Sequence, residues 1–283
     1  TSRELISSTL AVQNLVNDQR EIMHRKVKPH PAMFVQNAEV GYQLTSQNSE
    51  IWIENSCVGA AWNIHQQTII TGVPVNDWNL EVPSGVCIDV VPFGESDYVA
   101  RPYGFHDTFK GALSEAGTCY QGMPVGEWCA VRGLSVEEIE NGHDLQAARL
   151  FPVCSSVEEL GAVMRWMVSE PALQEGKEIW QRSRKLSADE ISAYADLHRL
   201  AEQREAFRVK NWPALAHNYE RSVFYQLNLE NAAGEFARYD LSLPEPLSDS
   251  VPLMTRISDS MFRARVQQLK GMAYREYELS LIH

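Results

Sequence analysis

The stretch Phe34-Val35-Gln36-Asn37-Ala38-Glu39-Val40-Gly41 returns eighteen residues later as Trp52-Ile53-Glu54-Asn55-Ser56-Cys57-Val58-Gly59. Both copies share the order aromatic, β-branched, any residue, Asn, small, any residue, Val, Gly. Two further steps of eighteen residues reach Ile70 and Ile88, each within a short run rich in Val, Ile or Thr. A fixed strand period indicates a solenoid, and three hexapeptide faces make a turn of about eighteen residues.

We therefore predict an α+β chain whose residues 31–110 form a left-handed parallel β-helix of the hexapeptide type, with about four coils. Asn37 and Asn55 are predicted at its corners, because Asn tolerates left-handed backbone conformations. One coil cannot bury its inward residues alone, so the coils must stack. The side chains predicted to stack inward are Phe34, Trp52, Ile70 and Ile88. The alternative is a small antiparallel sheet whose match to the period is coincidental.

The regions on either side of the repeat are predicted to be helical. Residues 1–30 form an amphipathic N-terminal helix, because their apolar residues recur at about every 3.6 positions. Residues 111–283 form a helical domain, in which the capping boxes Ser156–Glu159 and Ser187–Glu190 begin two helices. The second helix is expected to continue through Ile191, Tyr194, Leu197 and Ala201. A shorter amphipathic stretch is predicted around residues 257–269.

Composition excludes several classes of protein. Of the 283 residues, 44% are hydrophobic and 22% charged, which is typical of a globular chain. The net charge of −12 disfavours nucleic acid as a partner. No apolar run approaches the roughly 20 residues of a membrane-spanning helix, so no membrane partner is expected. The five cysteines form no C-x-x-C pair, which predicts reduced, mostly buried thiols in a cytoplasmic protein.

Most sequence signatures of catalysis are absent from this chain. It contains no P-loop, no G-x-G-x-x-G, no H-E-x-x-H and no G-x-S-x-G motif. The eight histidines show no metal-ligand spacing. We therefore assign no catalytic residue, no metal and no cofactor to this segment.

One run, from Arg101 to Lys110, combines several functional residue types. Arg and Lys could bind a phosphate, Tyr could contact a sugar, and a His-Asp pair could exchange protons. The candidate sugar-phosphate contacts are Arg101, Tyr103, His106, Asp107 and Lys110. The alternative is a polar cap that covers the edge of the last coil, as the ends of solenoids require.

Two other features have a functional and a structural interpretation. His65, near a coil corner, invites comparison with the histidine base of hexapeptide-repeat acyltransferases, but a single His is more often packed or solvated. A basic cluster precedes the second capping box, and the sequence favours a solvated helix end over a functional role for it, since basic residues favour helix C-termini. The cluster consists of Lys177, Arg182, Arg184 and Lys185.

Many segments of the chain resemble the middle of the bacterial bifunctional fucokinase/fucose-1-phosphate guanylyltransferase family. The resemblance runs from end to end of the 283 residues. Its most specific segments are Met23-His24-Arg25-Lys26-Val27-Lys28-Pro29, Pro31-Ala32-Met33-Phe34, Ile69-Ile70-Thr71-Gly72-Val73-Pro74, Ala100-Arg101-Pro102-Tyr103-Gly104, Gly126-Glu127-Trp128, Ser187-Ala188-Asp189-Glu190-Ile191 and Ser222-Val223-Phe224-Tyr225-Gln226-Leu227.

The resemblance implies a role in making GDP-L-fucose in two steps. In that family a kinase region phosphorylates L-fucose with ATP and Mg²⁺, and a guanylyltransferase region joins fucose-1-phosphate to GMP from GTP. The nucleotidyltransferase comes first, the kinase last, and β-helix and helical segments lie between them. Neither phosphate-binding loop of the family has a counterpart here, so no catalytic residue of the family can be carried onto this chain.

We therefore expect a central scaffold and assembly segment that is inactive alone, whose helical part leads toward the kinase. Its expected partners are the nucleotidyltransferase and kinase domains of the parent chain and, through oligomerisation, further copies of itself. Mg²⁺ with ATP and GTP is expected for the parent enzyme. The alternatives are a hexapeptide-repeat acyltransferase and a regulatory module that binds a sugar phosphate or sugar nucleotide.

Overall fold

The computed structural model describes residues 33–45 and 48–217, together with residue 237. The predicted N-terminal helix and the predicted stretch at 257–269 lie outside these residues. The strands are β1 Met33–Gln36, β2 Glu39–Val40, β3 Ile51–Glu54, β4 Cys57–Val58, β5 Asn63–Ile64, β6 Thr68–Thr71, β7 Glu81–Val82, β8 Val86–Phe93, β9 Asp97–Gly104, β10 Cys119–Tyr120, β11 Met123–Pro124, β12 Phe151–Cys154 and β13 Lys185–Leu186. The α-helices are α1 Val125–Val131, α2 Val157–Val168, α3 Gln174–Arg182, α4 Ala188–Tyr194 and α5 Leu197–His217.

The predicted repeat forms a β-solenoid of about three turns. Its first face is a parallel stack of β1, β3, β6 and β8. The second face pairs β2 with β4, and the third pairs β5 with β7, both in parallel. Parallel pairing between strands separated by a full turn confirms the solenoid over the antiparallel alternative. Three turns are described instead of four coils, because β8 opens a fourth turn and then folds back as a hairpin.

The predicted inward stack is wrong in register. Phe34 pairs with Trp52 as expected, but Trp52 pairs with Ile69 and not with Ile70, because the second turn has seventeen residues. Side chains alternate between the two faces of a strand, so a shift of one residue changes the face. The inner column is Val35, Ile53, Ile70 and Ile88, which belong to the main core. Phe34 and Trp52 instead lie in a separate buried cluster with Ile69, Cys87 and Phe105.

The corners of the solenoid use residues with positive φ. Asn37 and Asn55 have φ of 45° and 51°, which confirms their predicted corner positions. Gly72, at φ 69°, occupies the same corner one turn later. A Cβ on Gly72 would lie 2.1 Å from the carbonyl oxygen of Val90, so this turn has no room for a side chain.

The last turn is covered by antiparallel strands from the same chain. The long strand β8 pairs with β9 along eight residues, from Val86 opposite Gly104 to Phe93 opposite Asp97. Strand β12 then pairs with β9, and β13 pairs with β12, which completes a seven-stranded mixed sheet. The backbone groups on the outer edge of β8 therefore form hydrogen bonds with β9, the strand that follows it in the chain.

A helical layer packs on this end of the solenoid. Ser156 is the N-cap of α2, and its hydroxyl accepts a hydrogen bond from the Glu159 amide at 3.2 Å, as predicted. The Glu159 carboxylate accepts from the Ser155 amide at 3.0 Å instead of the Ser156 amide, so only half of the predicted capping box forms. The Trp78 indole of the third turn donates to the Val157 carbonyl at 3.1 Å. A Cβ on Gly161 would meet the same indole at 2.5 Å, so glycine allows the close approach.

The second predicted helix is divided in two. Helix α4 begins at the predicted capping box of Ser187 and Glu190, and its last residue is Tyr194. Asp196 then begins α5, since its carboxylate accepts hydrogen bonds from the amides of His198 and Arg199 at 3.0 Å each. The Asp196 backbone amide donates a hydrogen bond to the Pro92 carbonyl at 2.9 Å, which fixes this break against the hairpin.

One hydrophobic core runs from Met33 in the first turn to Ile191 in α4. Residues on both sides of residue 110 contribute to this core. No helix within residues 33–45 and 48–217 combines the length and apolar character needed to cross a membrane.

Candidate functional site

The candidate residues Arg101 and Tyr103 lie two positions apart on β9 and so share one face of the sheet. An Arg101 guanidinium nitrogen lies 3.3 Å from a carboxylate oxygen of Asp89 on β8. Thr71 of β6 donates its hydroxyl to the other Asp89 oxygen at 2.7 Å. Arg101 also lies 5.9 Å from the Tyr103 ring centroid. The arginine is therefore held within the sheet by an internal carboxylate.

Burial governs the ionisation of this face. It raises the pKa of the Asp89 carboxyl, while Arg101 and the Thr71 hydroxyl act in the opposite direction. Burial likewise raises the pKa of the Cys87 thiol to about 12 and moves the pKa of the Tyr103 phenol upward. Neither the thiol nor the phenol is ionised at neutral pH, so this face offers no ready nucleophile.

The loop after β9 separates the remaining candidate residues. Asp107 accepts hydrogen bonds from the Gly104 amide at 3.0 Å and the Gly122 amide at 3.1 Å, and so holds the loop against β11. His106 is exposed, and its Nε2 lies 3.3 Å from a Gln67 side-chain oxygen. Lys110 is exposed farther along the loop. The structure brings Arg101 and Tyr103 together, while His106, Asp107 and Lys110 have other surroundings.

This arrangement favours the structural interpretation of the run. Residues 97–104 are the strand that covers the edge of β8. Asp107 then fixes the chain reversal through two backbone amides. Within the run, residues 101–104 therefore belong to the strand that covers the last turn of the solenoid.

His65 lies beside a shallow cavity of about 240 Å³ between turns of the solenoid. Its Nε2 is 3.4 Å from a Glu81 carboxylate oxygen and 3.4 Å from the Asn63 side-chain nitrogen. The cavity is lined by Tyr42, Thr45, Asn48, Asn63, Ile64, His65, Gln66 and Ser84. Its lining is polar, and it contains no Lys or Arg with which to bind a phosphate.

The basic cluster before α4 is used inside the fold. Lys185 donates to the carbonyls of Trp180, Gln181 and Ser183 at 3.0 to 3.1 Å, which are backbone groups at the C-terminal end of α3. Arg182 pairs with Glu159 at 2.6 Å. Lys185 therefore stabilises the C-terminal end of α3, whereas Arg182 is paired with a residue of α2.

The sequence reasoning missed Asp89 and Thr71. Asp89 lies eighteen residues after Thr71, so the repeat period itself brings the two together. It also missed Arg132, a buried cation that donates to the Met167 carbonyl at 2.5 Å and stacks 4.4 Å over the Trp128 ring. Burial lowers the pKa of Arg132 to about 10, so it remains charged at neutral pH.

Comparison with known proteins identifies a matching family model and a similar protein. The family model described as the fucose pyrophosphorylase domain matches residues 4–156. The chain is 58% identical over 279 residues to the L-fucokinase/L-fucose-1-P guanylyltransferase of Bacteroides fragilis. That alignment covers 98% of this chain and 29% of the relative, so the chain spans less than a third of the relative's length. The search of solved structures found no match.

Proposed function

Because the chain belongs to the fucose pyrophosphorylase domain family, we propose that it is the central scaffold segment of a fucose-salvage enzyme that makes GDP-L-fucose. The parent protein phosphorylates L-fucose with ATP and then joins fucose-1-phosphate to GMP from GTP. This segment supports the domains that perform these steps and performs neither alone.

One observation carries the proposal: two of the candidate polar residues, Arg101 and Asp107, already have partners within the fold. Arg101 is paired with Asp89, and Asp107 accepts from two backbone amides. Partly buried charged groups with such partners contribute to folding, and breaking these contacts to bind a ligand costs free energy.

The proposal assigns the cofactors to the flanking domains. Within the described residues, no three His, Cys, Asp or Glu side chains lie together as metal ligands. Mg²⁺ with ATP and GTP belongs to the nucleotidyltransferase and kinase domains, which are the partners of this segment in the parent chain.

We extend the proposal to handedness, assembly and location. We propose that the solenoid is left-handed, because left-handed helices of the hexapeptide type have turns of about eighteen residues. The turns that join β1, β3, β6 and β8 have this length, except the second turn, which has seventeen residues. We also propose that the scaffold supports homo-oligomer formation. A cytoplasmic location fits the five cysteines, all of which are free thiols.

A thermal-shift titration tests the scaffold against its two alternatives. Fucose-1-phosphate, GDP-fucose and acetyl-CoA are each added to the chain, since a ligand at 100 times its Kd stabilises the native state by about 2.7 kcal/mol. A scaffold shows no shift with any of them. A fucose-1-phosphate or GDP-fucose shift would support the regulatory module instead. An acetyl-CoA shift that is lost in His65→Ala would support the acyltransferase.

A further inference from the structure

Helix α5 begins at the hairpin that closes the solenoid. The Arg199 guanidinium donates to the carbonyls of Phe93, Gly94 and Asp97 at 3.3, 3.0 and 2.8 Å. It also stacks over the Tyr98 ring, 4.7 Å from the ring centroid. These contacts fix the start of α5 at the end of the solenoid farthest from β1.

The middle of α5 contacts the corner formed by Asn55 and Gly72. The Asn55 side chain donates to the Leu200 carbonyl at 3.2 Å, and the Gln203 side chain donates to the Asn55 carbonyl at 2.8 Å. The Leu200 side chain lies 3.7 Å from the position that a Cβ on Gly72 would occupy. Helix α5 therefore crosses the second and third turns along this corner.

The later part of α5 reaches the first turn. Lys210 forms an ion pair with Glu39 of β2. The eleven residues from Arg199 to Lys210 span about 16 Å of helix, at about 1.5 Å per residue. The three strand spacings from β8 to β1 add to about 14 Å, at about 4.8 Å each. The two lengths agree, so α5 runs along the axis of the solenoid from its last turn to its first.

The two ends of the solenoid differ. The last turn is covered by β9, β12 and the helical layer. At the other end, β1 has only β3 as a sheet partner among the described residues, yet all four residues of β1 are buried.

We propose that the chain enters the solenoid at Met33 and leaves helix α5 at His217 at the same end of the solenoid, beside the first turn. Regions joined to the segment through these two points are therefore tethered to the same end of the solenoid, and the hairpin end faces away from both points. The identity of these regions as the two catalytic domains rests on the proposed function, whereas the course of the chain does not.

Cross-linking within this chain tests the course of α5. The pair Glu39→Cys and Lys210→Cys is treated with a short bis-maleimide in a Cys119→Ser background, since the other four native cysteines are buried. The control pair joins Glu39→Cys to His198→Cys, about 18 Å earlier on the same helix. We expect at least about fivefold more cross-linked product for the first pair, because thiol linkage requires close approach. Equal yields, or more product from the control pair, would overturn the proposal.

Energy transfer in the longer protein tests the consequence. One fluorophore is placed in the region before this segment and one in the region after it, and both half-reactions are assayed. Strong transfer is expected, falling at least twofold in Gln203→Pro, which breaks α5, but not in Gln203→Ala. Two active half-reactions with background transfer would overturn the inference alone. Loss of either half-reaction in the unmodified protein would overturn the proposed function, while the cross-linking result would still decide the course of α5.

Discussion

At the scale of single residues, the solenoid depends on backbone positions that exclude ordinary side chains. Gly72 and Gly85 both have positive φ, at 69° and 78°. A Cβ on Gly72 would meet the Val90 carbonyl, whereas nothing lies within 4 Å of a Cβ on Gly85. Substitution of Gly85 by Ala therefore measures the free-energy cost of a strained φ alone, whereas substitution of Gly72 by Ala measures that cost together with the cost of a steric clash.

We predict that Gly85→Ala lowers the free energy of unfolding by about 1 to 2 kcal/mol, the cost of a left-handed residue with a side chain. Gly72→Ala should lower it by at least about 3 kcal/mol, because the clash adds to that cost. Urea unfolding followed by circular dichroism measures both. Equal losses would mean that the turn at Gly72 relaxes freely.

The pair Asp89–Arg101 gives a prediction for pH dependence. Without Arg101, the Asp89 carboxyl loses its charged partner, and its already raised pKa rises further. A carboxyl with a raised pKa in the folded state binds more protons folded than unfolded, so stability recovers as pH falls through that pKa. Arg101→Met should therefore cost about 2 kcal/mol near pH 8 and clearly less near pH 5.

The double variant Asp89→Asn with Arg101→Met is the matched control, since it removes the titrating carboxyl. Its stability should change much less with pH than that of the single variant over the same range, measured by urea unfolding at each pH. A deficit of Arg101→Met that stays constant with pH would show that Asp89 is not the titrating group.

At the scale of elements, the contact between α5 and the solenoid corner is the least local part of the fold. Asn55 supplies both a left-handed backbone and a hydrogen bond to Leu200. We predict that Asn55→Gly costs about 1 kcal/mol, from the lost hydrogen bond, and Asn55→Ala about 2 kcal/mol, since it also strains φ. Thermal unfolding measures both, with the exposed Asn79→Ala as a near-neutral control. If Ala is tolerated better than Gly, the corner assignment is incorrect.

The end of α3 provides a second test at this scale. Lys185 donates to three carbonyls there, and burial lowers the pKa of its ammonium group. Lys185→Met should lower stability by about 1 kcal/mol, because the helix C-terminus loses its cation. Lys110→Met, at an exposed lysine, is the control and should have little effect in the same thermal unfolding experiment.

Local signals predicted the elements well, and nonlocal pairing accounts for what was missed. The Asn corners, the Ser187–Glu190 capping box and the Ser156 half of the other box were predicted correctly, because each depends on residues close in sequence. The predicted register between β3 and β6 was wrong by one residue. Ile69 and Ile70 are both apolar, so the sequence pattern allows either of them to pair with Trp52. The break before α5 was missed although Asp196 is a good N-cap residue, because the apolar spacing from Ile191 to Ala201 continues across it.

At the scale of the whole molecule, one continuous core joins the solenoid to the helical layer. Strands β12 and β13 have only four and two residues, and their partners lie far away in sequence, so no local pattern predicts them. For the same reason the sequence indicated a functional run from Arg101 to Lys110 but not the use of Arg101 and Asp107 inside the fold.

The central claim is that this segment is a folded scaffold without turnover of its own. The most direct measurement incubates the chain, shown to be folded by circular dichroism, with L-fucose, ATP, GTP and Mg²⁺, and then separately with fucose-1-phosphate, GTP and Mg²⁺. Release of pyrophosphate and formation of GDP-fucose are followed, with the longer bifunctional protein as the positive control. We predict no product above the protein-free background from the chain. GDP-fucose formed by the chain in either mixture would contradict the claim.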